Sequence, residues 1–261
     1  MHGGVGPIGW YYIAVQVLMM WVSFRSRGKV ARMATLPSRT RHFASVILMQ
    51  VLLISLTLLV AQVKWIPLFP RTLPKPLHVL AGIAVALIFA RAMYPLWKRT
   101  VAQRTRRAYF FMPSASGEKA LWSCVSLAAG IGEELTYRGV LHVLLTGLTG
   151  SARVGALLSA LIFAGGHAFQ SRLSMAIIFC FALTFQALAF WTGALYVPML
   201  AHVLYDLIAG FSYSRLGREM GYRAEGEPGA AGAVGMAEAP GAAGPARAAE
   251  APAGAGVTGP P

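Results

Sequence analysis

Acidic residues are scarce in this chain. Its 261 residues include nine Asp and Glu against 23 Lys and Arg, and charged residues of both signs make up only 12%. A soluble domain carries about a quarter charged residues, so the composition excludes an ordinary water-exposed globule. Cysteine is nearly absent. Cys124 and Cys180 both lie in apolar runs, with no disulfide framework and no zinc spacing. No HExxH places two imidazoles on one helical face, and no repeat or pair of Pro-broken helices marks an inverted-repeat transporter. The first apolar run, 8–24, lacks a basic segment before it and a small-residue cleavage site after it. It is therefore expected to be a retained first span.

What the chain has in abundance is hydrocarbon: 56% of residues are hydrophobic, and the mean hydropathy is +0.58. A spanning helix needs about 20 mostly apolar residues. Seven runs qualify: 8–24, 43–63, 77–97, 119–148, 152–169, 173–191 and 194–211. The expected fold is an all-α polytopic membrane helix bundle of about seven (six to eight) transmembrane helices. The fourth run is too long for one straight span. Pro113 with Ser114 and Ser116 reads as its interfacial entry and cap.

The net charge of +14 is gathered in short runs between the apolar segments, so the expected partner is the lipid bilayer with its anionic headgroups and not nucleic acid. Arg25, Arg27, Lys29, Arg32, Arg39 and Arg41 lie in the first loop; Lys98, Arg99, Arg104, Arg106 and Arg107 lie in the third. The second loop has only Lys64, Arg71 and Lys75. The bias predicts an integral protein of the cell (cytoplasmic) membrane, N-terminus outside and C-terminus cytoplasmic, with Arg172, Arg215, Arg218 and Arg223 also inside. Three regions follow: 1–112, three N-terminal spans with basic loops; 113–220, the chemistry-bearing helices; and 221–261, a Gly/Ala/Pro-rich tail expected to be disordered.

Three polar clusters interrupt the greasy helices. They are Glu133-Glu134-x-x-x-Arg138, Phe163-x-x-x-His167 and His202-x-x-x-Asp206. Ionisable groups in hydrocarbon are costly and mark functional sites by default. Glu134 and Arg138 share a face four residues apart and are expected to pair, leaving Glu133, about 100° round the helix, to face a cavity. Gly165-Gly166 before His167 permits close approach of a backbone or a substrate. Asp206, one turn after His202, is placed to fix the tautomer of that ring. His142, four residues beyond Arg138, falls on the Glu134/Arg138 face and reads as a supporting residue. Arg91 can snorkel, and His78 reads as interfacial. Together the clusters supply a base to activate water and imidazoles to donate to an oxyanion.

In this order and in this setting, the three motifs resemble the EExxxR, FxxxH and HxxxN/D motifs of the CAAX prenyl protease and bacteriocin-processing family of intramembrane proteases. The resemblance covers about residues 119–210. It implies helices around an intramembrane cavity and glutamate-dependent endopeptidase activity on a membrane-associated protein or peptide. Carried over by position, Glu133 and His167 would hold and deprotonate water. His202 and Asp206 would stabilise the oxyanion, with Glu134, Arg138 and Phe163 in support. Asp206 stands where the prenyl-processing branch has Asn, and a carboxylate donates a hydrogen bond only when protonated.

No cofactor is expected. The rival mechanism has zinc on Glu133, His167, His202 and Asp206, two imidazoles and two carboxylates being a plausible ligand set. Two other readings keep the scaffold without hydrolysis: a binding or immunity protein, and a cation- or proton-coupled transporter. The motifs also pose a depth problem. Glu133 lies roughly 21 Å along its helix from Lys119, whereas His167 lies only about 8 Å from Arg172.

Overall fold

A computed structural model describes residues 5–70 and 73–223. Among these, all regular structure is helical. The order is α1 (Gly6–Arg25), α2 (Lys29–Arg32), α3 (Arg39–Val63), α4 (Pro76–Ala102), α5 (Arg106–Tyr109) and α6 (Ser116–Glu134). A π-helix (Leu135–Leu141) follows, and then α7 (His142–Thr149), α8 (Ala152–Gly166), α9 (Arg172–Thr192) and α10 (Tyr196–Glu219). The tail expected to be disordered lies outside the described residues from 224 onward.

Four helices, α1, α3, α4 and α9, are long and apolar enough to cross a membrane. Their outward faces stay apolar, with Leu52 63% and Ile88 66% exposed. Water would penalise such surfaces, and lipid does not. The chain is an integral membrane protein. Helices α6 and α10 are less apolar because they carry the ionisable clusters, and α8 is apolar but only fifteen residues long.

The helix ends follow local chemistry. Pro76 opens α4, where its missing N–H costs nothing. Ser38, Ser151 and Ser171 cap α3, α8 and α9 by accepting from the backbone N–H three residues on. The entry to α6 differs from expectation: Ala115 is the cap position, and the Glu118 carboxylate accepts from the N–H of Ser114 (2.7 Å) and Ala115 (3.2 Å). Ser114 Oγ donates instead to the carbonyl of Met112. The acidic side chain is the stronger acceptor for the exposed N–H groups at this terminus.

The long fourth run is continuous but not straight α-helix. It passes through nineteen α-helical residues, seven π-helical residues and eight more α-helical residues. In the π segment each backbone bond spans five residues, so one extra residue enters the turn. Two buried contacts hold this segment. Thr136 Oγ1 lies 2.9 Å from Thr57 Oγ1, which is itself 2.8 Å from the Tyr12 hydroxyl, and Ser159 Oγ donates to the carbonyl of Tyr137 at 2.6 Å.

Helix α6 packs on both α3 and α10, and α8 packs on α1, α7 and α9. Glycine makes the α6 contacts possible. A Cβ at Gly130 would stand 2.8 Å from the backbone nitrogen of Val203 on α10. One at Gly132 would stand 2.8–2.9 Å from Ile54 and Gln50 on α3. The α6 backbone therefore approaches two neighbours at the level of Glu133 and Glu134.

Candidate active site

The three clusters come together. Glu133 and Glu134 end α6, Arg138 lies in the π-helix, His167 caps the C-terminus of α8, and His202 and Asp206 lie on α10. Glu134 is fully buried. Its Oε1 accepts from Nδ1 of His202 at 2.8 Å and lies 3.1 Å from Nη1 of Arg138. The guanidinium of Arg138 is 4.5 Å from the centre of the Phe163 ring and 5.6 Å from that of Phe185. The buried charge is thus met by one carboxylate and two aromatic faces.

Glu133 turns the other way. Its Oε1 accepts from Nε2 of Gln50 at 2.9 Å. Its Oε2 lies 3.8 Å from Nε2 of His202 and 4.0 Å from Nε2 of His167. Asp206 Oδ2 lies 3.7 Å from the same His202 nitrogen. One carboxylate oxygen, two imidazole nitrogens and a second carboxylate thus face a common space.

The partners of the two Nδ1 atoms set the tautomers. Nδ1 of His167 is 2.9 Å from the carbonyl of Phe163, and Nδ1 of His202 faces the Glu134 carboxylate. A carbonyl and a carboxylate only accept, so both Nδ1 atoms carry the proton. The neutral rings then present an Nε2 lone pair to Glu133. They become donors at Nε2 only as imidazolium, which narrows the role of oxyanion donor expected of them. The tautomer of His202 is also fixed by Glu134 and not by Asp206, which stands on the Nε2 side.

The apolar run 152–169 puts His167 inside a span, yet α8 ends at Gly166 and the ring sits at the C-cap. The loop beyond it is held by two arginines remote in sequence, Arg27 between α1 and α2 and Arg107 in α5. Arg27 Nε donates to the carbonyl of Ala168 at 2.7 Å, and Arg107 donates to the carbonyl of Gln170. Arg104 reaches the carbonyl of Gly221 and Arg106 that of Met33. Residues read only as topology signals also tie loops together. The early end of α8 answers the depth problem, since His167 comes within 4.0 Å of Glu133.

Other expectations change. His142 is not beside Glu134; its Nε2 is 3.2 Å from the carbonyl of Ala152, and its ring lies against Phe190. The π-helix breaks the four-residue register on which that expectation rested. Gly165 admits the side chains of Met20 and Phe24 and not a backbone: a Cβ there would stand 2.6–2.7 Å from Met20. Gln50, Phe185 and Arg27 touch the site or its loop but carry no recognisable spacing, since each acts from a helix or loop remote in sequence. Among the described residues, no group of three or more His, Cys, Asp or Glu is arranged to hold a metal ion.

Residues 116–208 match the family model described as type II CAAX prenyl endopeptidase, Rce1-like. This segment is an Rce1-like domain. It runs from the first residue of α6 to just past Asp206, and so contains Glu133, Glu134, Arg138, Phe163, His167, His202 and Asp206. The family is one of membrane proteases, acting on membrane-associated protein. Gln50 and the loop arginines lie outside the matched segment. Comparison with curated proteins and with solved structures finds no match for the chain.

Proposed function

We propose that the Rce1-like domain hydrolyses a peptide bond in the C-terminal region of a membrane-associated protein or peptide, using water activated by Glu133 and His167. The observation that carries this reading is the 4.0 Å gap between Oε2 of Glu133 and Nε2 of His167. That gap is too long for a hydrogen bond, but one water making bonds of about 2.8 Å to each atom bridges it. The water donates one hydrogen to the carboxylate and one to the Nε2 lone pair. Its oxygen is left to attack a carbonyl, while Glu133 takes the proton and passes it to the leaving amine.

His202 stands 3.8 Å from the same carboxylate oxygen, with its ring oriented by Glu134. As imidazolium it offers an Nε2–H to the developing oxyanion, flanked by the carboxylates of Glu133, Glu134 and Asp206. A preorganised donor of this kind contributes a few kcal/mol to the transition state. Asp206 balances that charge at 3.7 Å. Arg138, locked between Glu134 and two phenyl rings, holds the second glutamate in place.

The test is Glu133→Gln. The amide keeps the size and the hydrogen bond from Gln50 but cannot take a proton from water. Mass spectrometry of membrane-associated proteins from cells with the parent, the variant or neither should show shortened C-termini with the parent alone. Equal processing by parent and variant would rule out Glu133 as the base. Retained binding of a protein with no Glu133-dependent cleavage would favour the non-catalytic binding reading.

A further inference from the structure

We infer that Gln50 of α3 is a positioning residue for Glu133, an inference that rests on the proposed role of Glu133 as base. Gln50 lies 83 residues before Glu133, outside the Rce1-like segment, and is only 8% exposed. Its Nε2 donates to Oε1 of Glu133 at 2.9 Å, while Oε2 of the same carboxylate faces the two imidazoles. The bond therefore engages the oxygen not aimed at water. It fixes the rotation of the carboxylate and leaves the reactive oxygen free.

The amide is itself held in one orientation. A carboxylate accepts and does not donate, so the N–H side of Gln50 must face it. The carbonyl side then turns to the α6 backbone, where a Cβ at Gly132 would stand 2.9 Å from Gln50 Oε1. Glycine at 132 leaves room for the Gln50 amide and for Ile54 beside it, which a Cβ would crowd at 2.8–2.9 Å. Gly132, Glu133 and Gln50 thus form one unit, of which the family segment contains two members.

A general base gains its rate from placement, and a misplacement of about 1 Å costs on the order of 100-fold. Purely structural packing of Gln50 between α3 and α6 would instead lower the stability of the protein without changing turnover per folded molecule.

The experiment uses the full chain in detergent or reconstituted vesicles, with Gln50→Met, Gln50→His and Gly132→Ala beside the parent and Glu133→Gln. Gln50→Met keeps length and volume but has no donor. Gln50→His returns an N–H at about the same reach. The expected result is a 10- to 100-fold fall in kcat for Gln50→Met with KM within about twofold, from the loss of one placed hydrogen bond. Gln50→His should recover a large part of that loss, and Gly132→Ala should mimic Gln50→Met.

Unchanged kcat in correctly inserted Gln50→Met, or equal losses in the Met and His variants, would overturn the positioning role and leave the proposed function standing. Absence of Glu133-dependent turnover in the parent would remove the proposed function and this inference together. The two failures are therefore distinguishable.

Discussion

Nδ1 of His202 and Oε1 of Glu134 are 2.8 Å apart, in a contact where both residues are buried. The same Glu134 oxygen is 3.1 Å from Arg138, so one carboxylate orients the imidazole and neutralises the guanidinium. The adjacent glutamates have separated duties. Glu133 faces the site, and Glu134 holds up its back wall.

This division predicts different costs for changing the two glutamates. Glu134→Ala leaves the Arg138 guanidinium buried without its carboxylate, and breaking such a pair costs about 3–5 kcal/mol. Thermal unfolding in detergent should show a large fall for Glu134→Ala and a change under about 1 kcal/mol for Glu133→Gln, which keeps the amide contact. Combining Glu134→Gln with Arg138→Met should restore most of the loss, because no charge is then left unpaired. Equal stability of the two single variants would contradict the division.

The loop after His167 predicts a role for a residue outside the domain. Arg27→Ala removes the bond to the Ala168 carbonyl and the contact with Met175 Sδ at 2.7 Å. We expect faster tryptic cleavage after Arg172 and a fall in kcat of about tenfold, since His167 loses a neighbour that fixes its loop. Parent-like values for both would show that Arg107 suffices.

Asp206 makes no hydrogen bond to His202 at 3.7 Å, and the carbonyl of the same residue accepts from Trp122 Nε1 at 3.0 Å. The backbone contact is indifferent to the side chain. Asp206→Asn should therefore keep kcat/KM within about tenfold of the parent, while still presenting a polar group to the site. Loss of more than about a thousandfold would mean that its negative charge is essential.

Metal dependence separates the two mechanisms available to the same side chains. Exhaustive chelation of the purified protein should leave turnover unchanged if Glu133 and His167 activate water alone. Activity that is lost on chelation and restored by zinc would make Glu133, His167, His202 and Asp206 candidate ligands, with both Nε2 lone pairs already turned inward.

The long apolar runs alone determined a helical membrane protein, because only a helix satisfies its own backbone in hydrocarbon. Runs 8–24, 43–63, 77–97 and 173–191 lie within α1, α3, α4 and α9. The identities of the ionisable residues were equally plain, since each stands out against an apolar background. The pairing of Glu134 with Arg138 also followed from their spacing, because the first turn of the π-helix still brings them within 3.1 Å.

Tertiary structure decided the rest. Spacing reports which residues share a face of one helix, but not what stands opposite. The close approach of Gly130 to Val203 sets α10 beside the end of α6, and that of Gly132 to Gln50 sets α3 there and brings Gln50 to Glu133, across separations of tens of residues. The π-helix at Leu135–Leu141 removes His142 from the expected face, and the early end of α8 carries His167 to the depth of Glu133. Hydrophobic periodicity is a property of each helix by itself. The tautomers, the orientation of the Glu133 carboxylate and the grip of Arg27 on the His167 loop arise only when helices remote in sequence are packed together.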